Sequence, residues 1–94
     1  MASKFPAESV ANYRAIAQDT LQLVQSGDQS GAANRVTDLE TAWDDDESSI
    51  EPMDCQAWTY VDQQIDPVLS AVRASNPDPD NETQTLNALL ATLG

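Results

Sequence analysis

The sequence predicts an all-α fold: a small antiparallel four-helix bundle built from two helical hairpins. Apolar residues recur at helical spacing in four separate stretches, and short polar stretches with Pro or Gly separate them. The apolar residues are mostly Ala, Leu and Val, with only three Gly, which favours helices over strands. The 94 residues are expected to form one helical domain, with residues 1–6 disordered or vector-derived.

The first helix is expected to begin at Pro6, because Pro followed by an acid such as Glu8 is typical of a first helical turn. Its apolar stripe consists of Val10, Tyr13, Ile16, Ala17, Thr20, Leu21 and Val24. Gly27 is expected to end the helix in a left-handed conformation. Asp28 or Ser30 then has the side chain needed to cap the second helix.

The second and third helices follow the same logic. The second apolar stripe is Ala32, Val36, Leu39 and Trp43. Acids at a helix C-terminus oppose its dipole, so this helix is expected to fray or turn near Ser48-Ser49.

Asp54 is the expected N-cap of the third helix, and Pro67 is expected to kink it; a break with Asp66 as a new cap is the lesser alternative. The third stripe is Ala57, Trp58, Val61, Ile65, Val68, Leu69 and Val72.

The fourth helix is expected to follow a loop over residues 76–80, where Pro and Asp alternate. Asn81 and Gln84 resemble a capping box, a reciprocal pair of side-chain caps at a helix start. The fourth apolar stripe is Leu86, Leu89, Leu90 and Leu93. Short connections between four amphipathic helices favour antiparallel neighbours, hence the bundle.

Charge restricts the classes of function. The chain has 16 acidic and 4 basic side chains, no His, and a formal net charge of -12. Without imidazole there is no Ser-His or Cys-His nucleophile pair, and the negative field repels nucleic acid and anionic lipid headgroups. No apolar run is long enough to span a bilayer. We therefore expect no enzyme, no cofactor, no nucleic-acid partner and no membrane insertion, but a basic or membrane-associated protein partner.

Trp43 and Trp58 are expected to meet at one end of the bundle, since one ends the second helix and the other begins the third. The favoured interpretation is a core cluster in which each indole N–H is hydrogen-bonded. The alternative is an anchor for a protein partner. Both residues are therefore candidates for partner binding.

The acidic clusters are candidates for divalent-cation binding, because carboxylates are the ligands that calcium and magnesium prefer. The candidate ligands are Asp44, Asp45, Asp46, Glu47, Asp78, Asp80 and Glu82. Neither cluster has the spacing and central Gly of an EF-hand loop, so solvated acids are favoured over a metal site. The acids Asp62 and Asp66 could support acid–base chemistry, but a solvated polar face is favoured there too. Cys55 is expected to be an inert thiol, since no base accompanies it.

About two thirds of the chain resembles small acidic helical modules of bacteria, which often carry an export signal or accompany membrane proteins. The segments that carry the resemblance are residues 38–44, 51–54, 57–62, 65–66 and 72–73. The resemblance implies a helical fold and an extracytoplasmic location, and it brings no catalytic residues.

Three functions are open from the sequence. The first is a non-enzymatic interaction or sensor-accessory module that binds a protein partner electrostatically. The second is an extracytoplasmic divalent-cation-binding domain, and the third is an acidic inhibitor or immunity-like protein against a basic toxin. A halophilic source would explain the charge without any partner, since salt screens self-repulsion.

Overall fold

The computed structural model describes residues 4–94, and within them it contains four α-helices and no strand. The helices are α1 (Ala7–Gln25), α2 (Gln29–Ile50), α3 (Cys55–Val72) and α4 (Pro79–Leu93), and a short 3-10 helix, Glu51–Met53, joins α2 to α3. Each α-helix packs against the next along the chain, and α4 packs back against α1. The predicted all-helical bundle is confirmed.

Three of the predicted helix boundaries are confirmed by their caps. Gly27 has a φ of 83°, in the left-handed region that favours Gly. Asp28 accepts a hydrogen bond from the backbone N–H of Gly31 at 2.8 Å, and Asp54 accepts one from Ala57 at 3.1 Å. These side chains satisfy amide groups that have no partner within their own helix. α3 runs without interruption through Pro67, so Asp66 does not start a new helix.

Two predicted boundaries are wrong. α2 does not turn near Ser48-Ser49 but continues to Ile50, whose side chain is 2% exposed. Burial of that side chain holds the last turn in the core despite the acids before it. α4 begins at Pro79 rather than after Asn81, because Asp78 accepts from the backbone N–H of Asp80 at 3.0 Å and caps the helix.

The core is centred on Trp43, which is 2% exposed. The ring of Tyr13 packs edge-on against it with centroids 5.3 Å apart, and Phe5 does so at 6.4 Å. Phe5 lies in the stretch 1–6, which is expected from the sequence to be disordered or vector-derived. Its side chain is only 5% exposed, so this expectation is wrong for Phe5. Residues 1–3 lie outside the described residues. Within residues 4–94 no helix is long and apolar enough to cross a membrane.

Candidate functional site

The three arginines of this acidic chain each bind other residues of the same chain. Arg35 forms ion pairs with Asp19 and with Asp38, each at 3.0 Å, and links α1 to α2. The pKa of the Arg35 guanidinium lies above its ordinary value, mainly because of the hydrogen bond to Asp38. Arg14 donates to the backbone carbonyl of Leu90 at 2.9 Å and links α1 to α4.

The α2–α3 pair is tied together by Arg73. Its guanidinium forms an ion pair with Glu40 at 2.8 Å and donates to the hydroxyl of Thr37 at 3.0 Å. The hydrogen bond from Arg73 holds the pKa of the Glu40 carboxyl below its usual range. All three ion pairs of the described residues therefore involve Arg35 or Arg73, and none involves an acid from residues 44–54.

We call the six acids of residues 44–54 the acidic corner; they lie on the last turns of α2 and in the connection to α3. Its members are Asp44, Asp45, Asp46, Glu47, Glu51 and Asp54. Asp54 caps α3, and Asp46 accepts a hydrogen bond from the hydroxyl of Tyr13. The side chains of the other four have no ion pair or hydrogen bond within the described residues. Asp44, Asp45, Glu47 and Glu51 thus form a block of negative charge with no counter-charge within the described residues.

Tyr13 connects the corner to the core. Its side chain is 1% exposed, and its hydroxyl donates to Asp46. Burial, followed by the contact with that carboxylate, raises the pKa of Tyr13 well above its ordinary value. The phenol therefore stays a neutral donor, and Asp46 is held against the bundle while the neighbouring acids face outward.

The two tryptophans meet as predicted, and their rings stack with centroids 5.4 Å apart and an interplanar angle of 13°. The indole N–H of Trp43 donates to Asp62 at 2.9 Å. The expectation that both indoles are hydrogen-bonded is wrong for Trp58, whose buried Nε1 has no acceptor among the described residues. Trp43 is too deeply buried to contact a partner, and the exposed large apolar side chains are instead Met53 (45%) and Tyr60 (44%).

The candidate metal ligands do not converge. Asp44–Glu47 lie along α2, whereas Asp78 caps α4 and Asp80 is exposed in its first turn. Within residues 4–94 no three His, Cys, Asp or Glu side chains are placed to share a metal ion. The second acidic cluster therefore contributes a helix cap and a buried side chain rather than a shared oxygen cage.

The environment of Glu82 differs from the sequence prediction, which favours a solvated acid there. Its side chain is 0% exposed. The Nε2 of Gln29 donates to one carboxylate oxygen at 2.8 Å, and the other oxygen has no partner among the described residues. Its spacing of four from Leu86, and of seven from Leu89, places it on the buried stripe of α4, and this spacing was the available signal.

The remaining candidates for chemistry are separated from one another. Asp62 is occupied by the indole of Trp43, while Asp66 is exposed, so they do not form a pair of carboxylates in one environment. Cys55 is exposed at the first position of α3.

Comparison with protein families, curated proteins and solved structures gives no match to this chain.

Proposed function

We propose that this chain is a non-enzymatic helical module that binds a basic protein partner through the acidic corner. One observation carries the proposal: Asp44, Asp45, Glu47 and Glu51 have no cation or donor within the described residues, whereas Arg35 and Arg73 are committed to other acids. Lys and Arg side chains of a partner would supply the missing counter-charges.

The acidic corner does not stabilise the helix that carries it. Glu47 lies in the last turn of α2 and Glu51 is its C-cap residue, where negative charge opposes the helix dipole. Asp44 and Glu47 are three apart, and Glu47 and Glu51 are four apart, so like charges adjoin on the helix surface. Each such term costs a few tenths of a kcal/mol to about 1 kcal/mol. A cationic partner would relieve these costs, and the described fold gives Asp44, Asp45, Glu47 and Glu51 no partner of their own.

An apolar contact is available beside the charges. Met53 follows Glu51 by two residues and precedes Asp54, and its side chain is 45% exposed. A flexible, exposed Met side chain between two acidic residues can pack against varied apolar residues of a partner. The partner surface that fits best therefore combines several Lys or Arg side chains with one apolar residue.

This chemistry suits more than one biological setting. A basic toxin or the basic juxtamembrane segment of a membrane protein would each present such a surface, and an extracytoplasmic, bacterial setting is part of the same proposal. The divalent-cation alternative uses the same acids. No second structural feature favours it, because the described acids are not grouped around a shared position.

The experiment uses two synthetic peptides of equal positive charge, one an oligolysine and the other a Lys/Leu amphipathic helix. Binding is measured by calorimetry at about 0.15 M salt, where the Debye length is about 8 Å. The variant pair Asp44→Asn/Glu47→Gln removes two corner charges. The matched control, Glu8→Gln/Asp66→Asn, removes two exposed charges elsewhere.

The corner variant is expected to weaken binding of the amphipathic peptide by about tenfold, equivalent to about 1.4 kcal/mol. The control is expected to change the affinity by no more than about twofold. Met53→Ser is expected to weaken binding of the amphipathic peptide but not binding of oligolysine. Equal weakening by both charge variants would show that binding follows total charge, and would contradict a specific site at the corner.

A further inference from the structure

The grooves on the side of the bundle formed by α3 and α4 differ in charge from the groove between α1 and α2. Shallow grooves along α3, and between α3 and α4, are lined without a single acidic or basic side chain. The groove between α1 and α2, in contrast, is lined by Asp19 and Arg35. The exposed acids of α3 and α4 are Asp66 and Asp80, and neither lines these grooves.

We call this surface the neutral face and define it by six exposed residues: Gln56, Tyr60, Gln63, Pro67, Gln84 and Ala88. Gln63 lines both grooves, so the two are continuous. The α3 members recur at intervals of four, three and four residues, the spacing of a stripe along one side of a helix. Such stripes are the usual contact surfaces between packed helices.

We propose that the neutral face is a self-association surface, through which two copies of this chain pack side by side. Depletion of charged residues and the presence of an exposed aromatic ring are the compositional features of an interface centre. Tyr60, 44% exposed, supplies that ring. This proposal is independent of the acidic corner and of its partner.

The charge distribution selects a second copy as the occupant. A basic partner has nothing to pair with on the neutral face. Two copies of a chain with net charge -12 repel each other, and they approach at least cost where the facing surfaces carry no carboxylates. Apart from the hydrogen bond between Gln29 and Glu82 where their first turns meet, α2, which carries its row of acids near its other end, does not pack against α4. Because α3 begins directly after Asp54, the acidic corner lies at one end of this contact.

The size of the bundle and a buried oxygen of Gln64 both bear on such a side-by-side dimer. The bundle measures 36 × 20 × 17 Å, so a whole long side of roughly 600–700 Å² approaches the ~800 Å² per partner of a standard interface, and the neutral face is one part of such a side. The side-chain oxygen of Gln64, which lines the groove between α3 and α4, is buried and has no donor among the described residues. A change of rotamer at Gln64 would bring this oxygen to the surface, where an amide of Gln63 or Gln84 from the second copy can donate to it.

The test is sedimentation velocity on the whole chain, from low micromolar to millimolar concentration, with reducing agent present so that Cys55 cannot cross-link copies. We expect a reversible dimer that strengthens with added sodium chloride, since screening weakens the repulsion between copies. Gln63→Glu/Gln84→Glu adds two charges to the neutral face. The matched control, Gln18→Glu/Asn34→Asp, adds two charges to exposed positions of α1 and α2.

The neutral-face variant is expected to raise the dimer Kd by at least about tenfold, and the control by no more than about twofold. Tyr60→Ser, which adds no charge, is expected to weaken the dimer as well. This variant keeps the test valid if the charged variant fails to fold. A monomer at every concentration and salt level would overturn the proposal. Equal weakening by both charged variants, or no effect of either, would also overturn it, since neither result places the contact on this face.

Discussion

Gln29 and Glu82 meet between the first turns of α2 and α4, where one hydrogen bond of 2.8 Å joins the half-buried amide to the buried carboxylate. The second carboxylate oxygen of Glu82 and the amide oxygen of Gln29 are both buried without a donor among the described residues. Two buried acceptors without a protein donor make this the least satisfied polar contact of the described core.

The first prediction follows from that contact. Glu82→Gln removes a buried acid, keeps its shape and adds an amide that can donate to the free oxygen of Gln29. We expect the free energy of unfolding at neutral pH to rise by about 1–3 kcal/mol. Urea denaturation measures it, with Asp80→Asn in the same helical turn as the exposed control. A loss of stability in Glu82→Gln would mean that the acid is better accommodated than the contact indicates.

The second prediction concerns the stacked tryptophans. Trp43→Ala should lower the free energy of unfolding by about 3–5 kcal/mol, because it empties the centre of the core and leaves Asp62 without its donor. Trp58→Ala should cost less, since that ring is only half-buried. Denaturation followed by circular dichroism compares the two variants. Equal costs would contradict the difference in burial.

The third prediction uses the raised pKa of Tyr13. In the unfolded chain this phenol ionises near its ordinary value of 10.0, whereas in the folded chain it keeps its proton to higher pH. Above about pH 10 the unfolded state therefore binds fewer protons, and the stability present at lower pH is lost as the pH rises.

Thermal melts between about pH 8 and pH 11 test this linkage. Tyr13→Phe should remove part of the alkaline loss of stability, whereas Tyr60→Phe, at an exposed ring, should leave the wild-type profile unchanged. If Tyr13→Phe keeps the full alkaline loss, the phenol does not cause it.

The sequence predicted the number of helices, the caps at Asp28 and Asp54, and the pairing of the tryptophans, because these depend on local spacing and local side-chain chemistry. It did not predict the length of α2, because the burial of Ile50 outweighs the unfavourable acids and depends on packing between helices. Glu82 was assigned to solvent for a related reason: residue type was weighed above its position on the apolar stripe. The neutral face could not be predicted, since it exists only once α3 and α4 are neighbours.

The fourth prediction tests whether the acidic corner is unfavourable for folding. Asp44→Asn/Glu47→Gln should raise the free energy of unfolding by about 0.5–1 kcal/mol at low salt, because it removes repulsion and the conflict with the helix dipole. The gain should shrink as sodium chloride is added. Calcium should stabilise the wild-type chain no more than sodium chloride at matched ionic strength. A shift in melting temperature at micromolar calcium would instead indicate a specific metal site.

The proposed binding site is tested most directly by nuclear magnetic resonance of the isotope-labelled chain, titrated with the Lys/Leu amphipathic peptide. We predict that the largest amide shift changes fall within residues 44–54, that they saturate, and that the amides of Gln63 and Gln84 on the neutral face change little. Shift changes spread evenly over the acidic residues of all four helices, or centred on α3 and α4, would contradict the acidic corner as the site of partner binding.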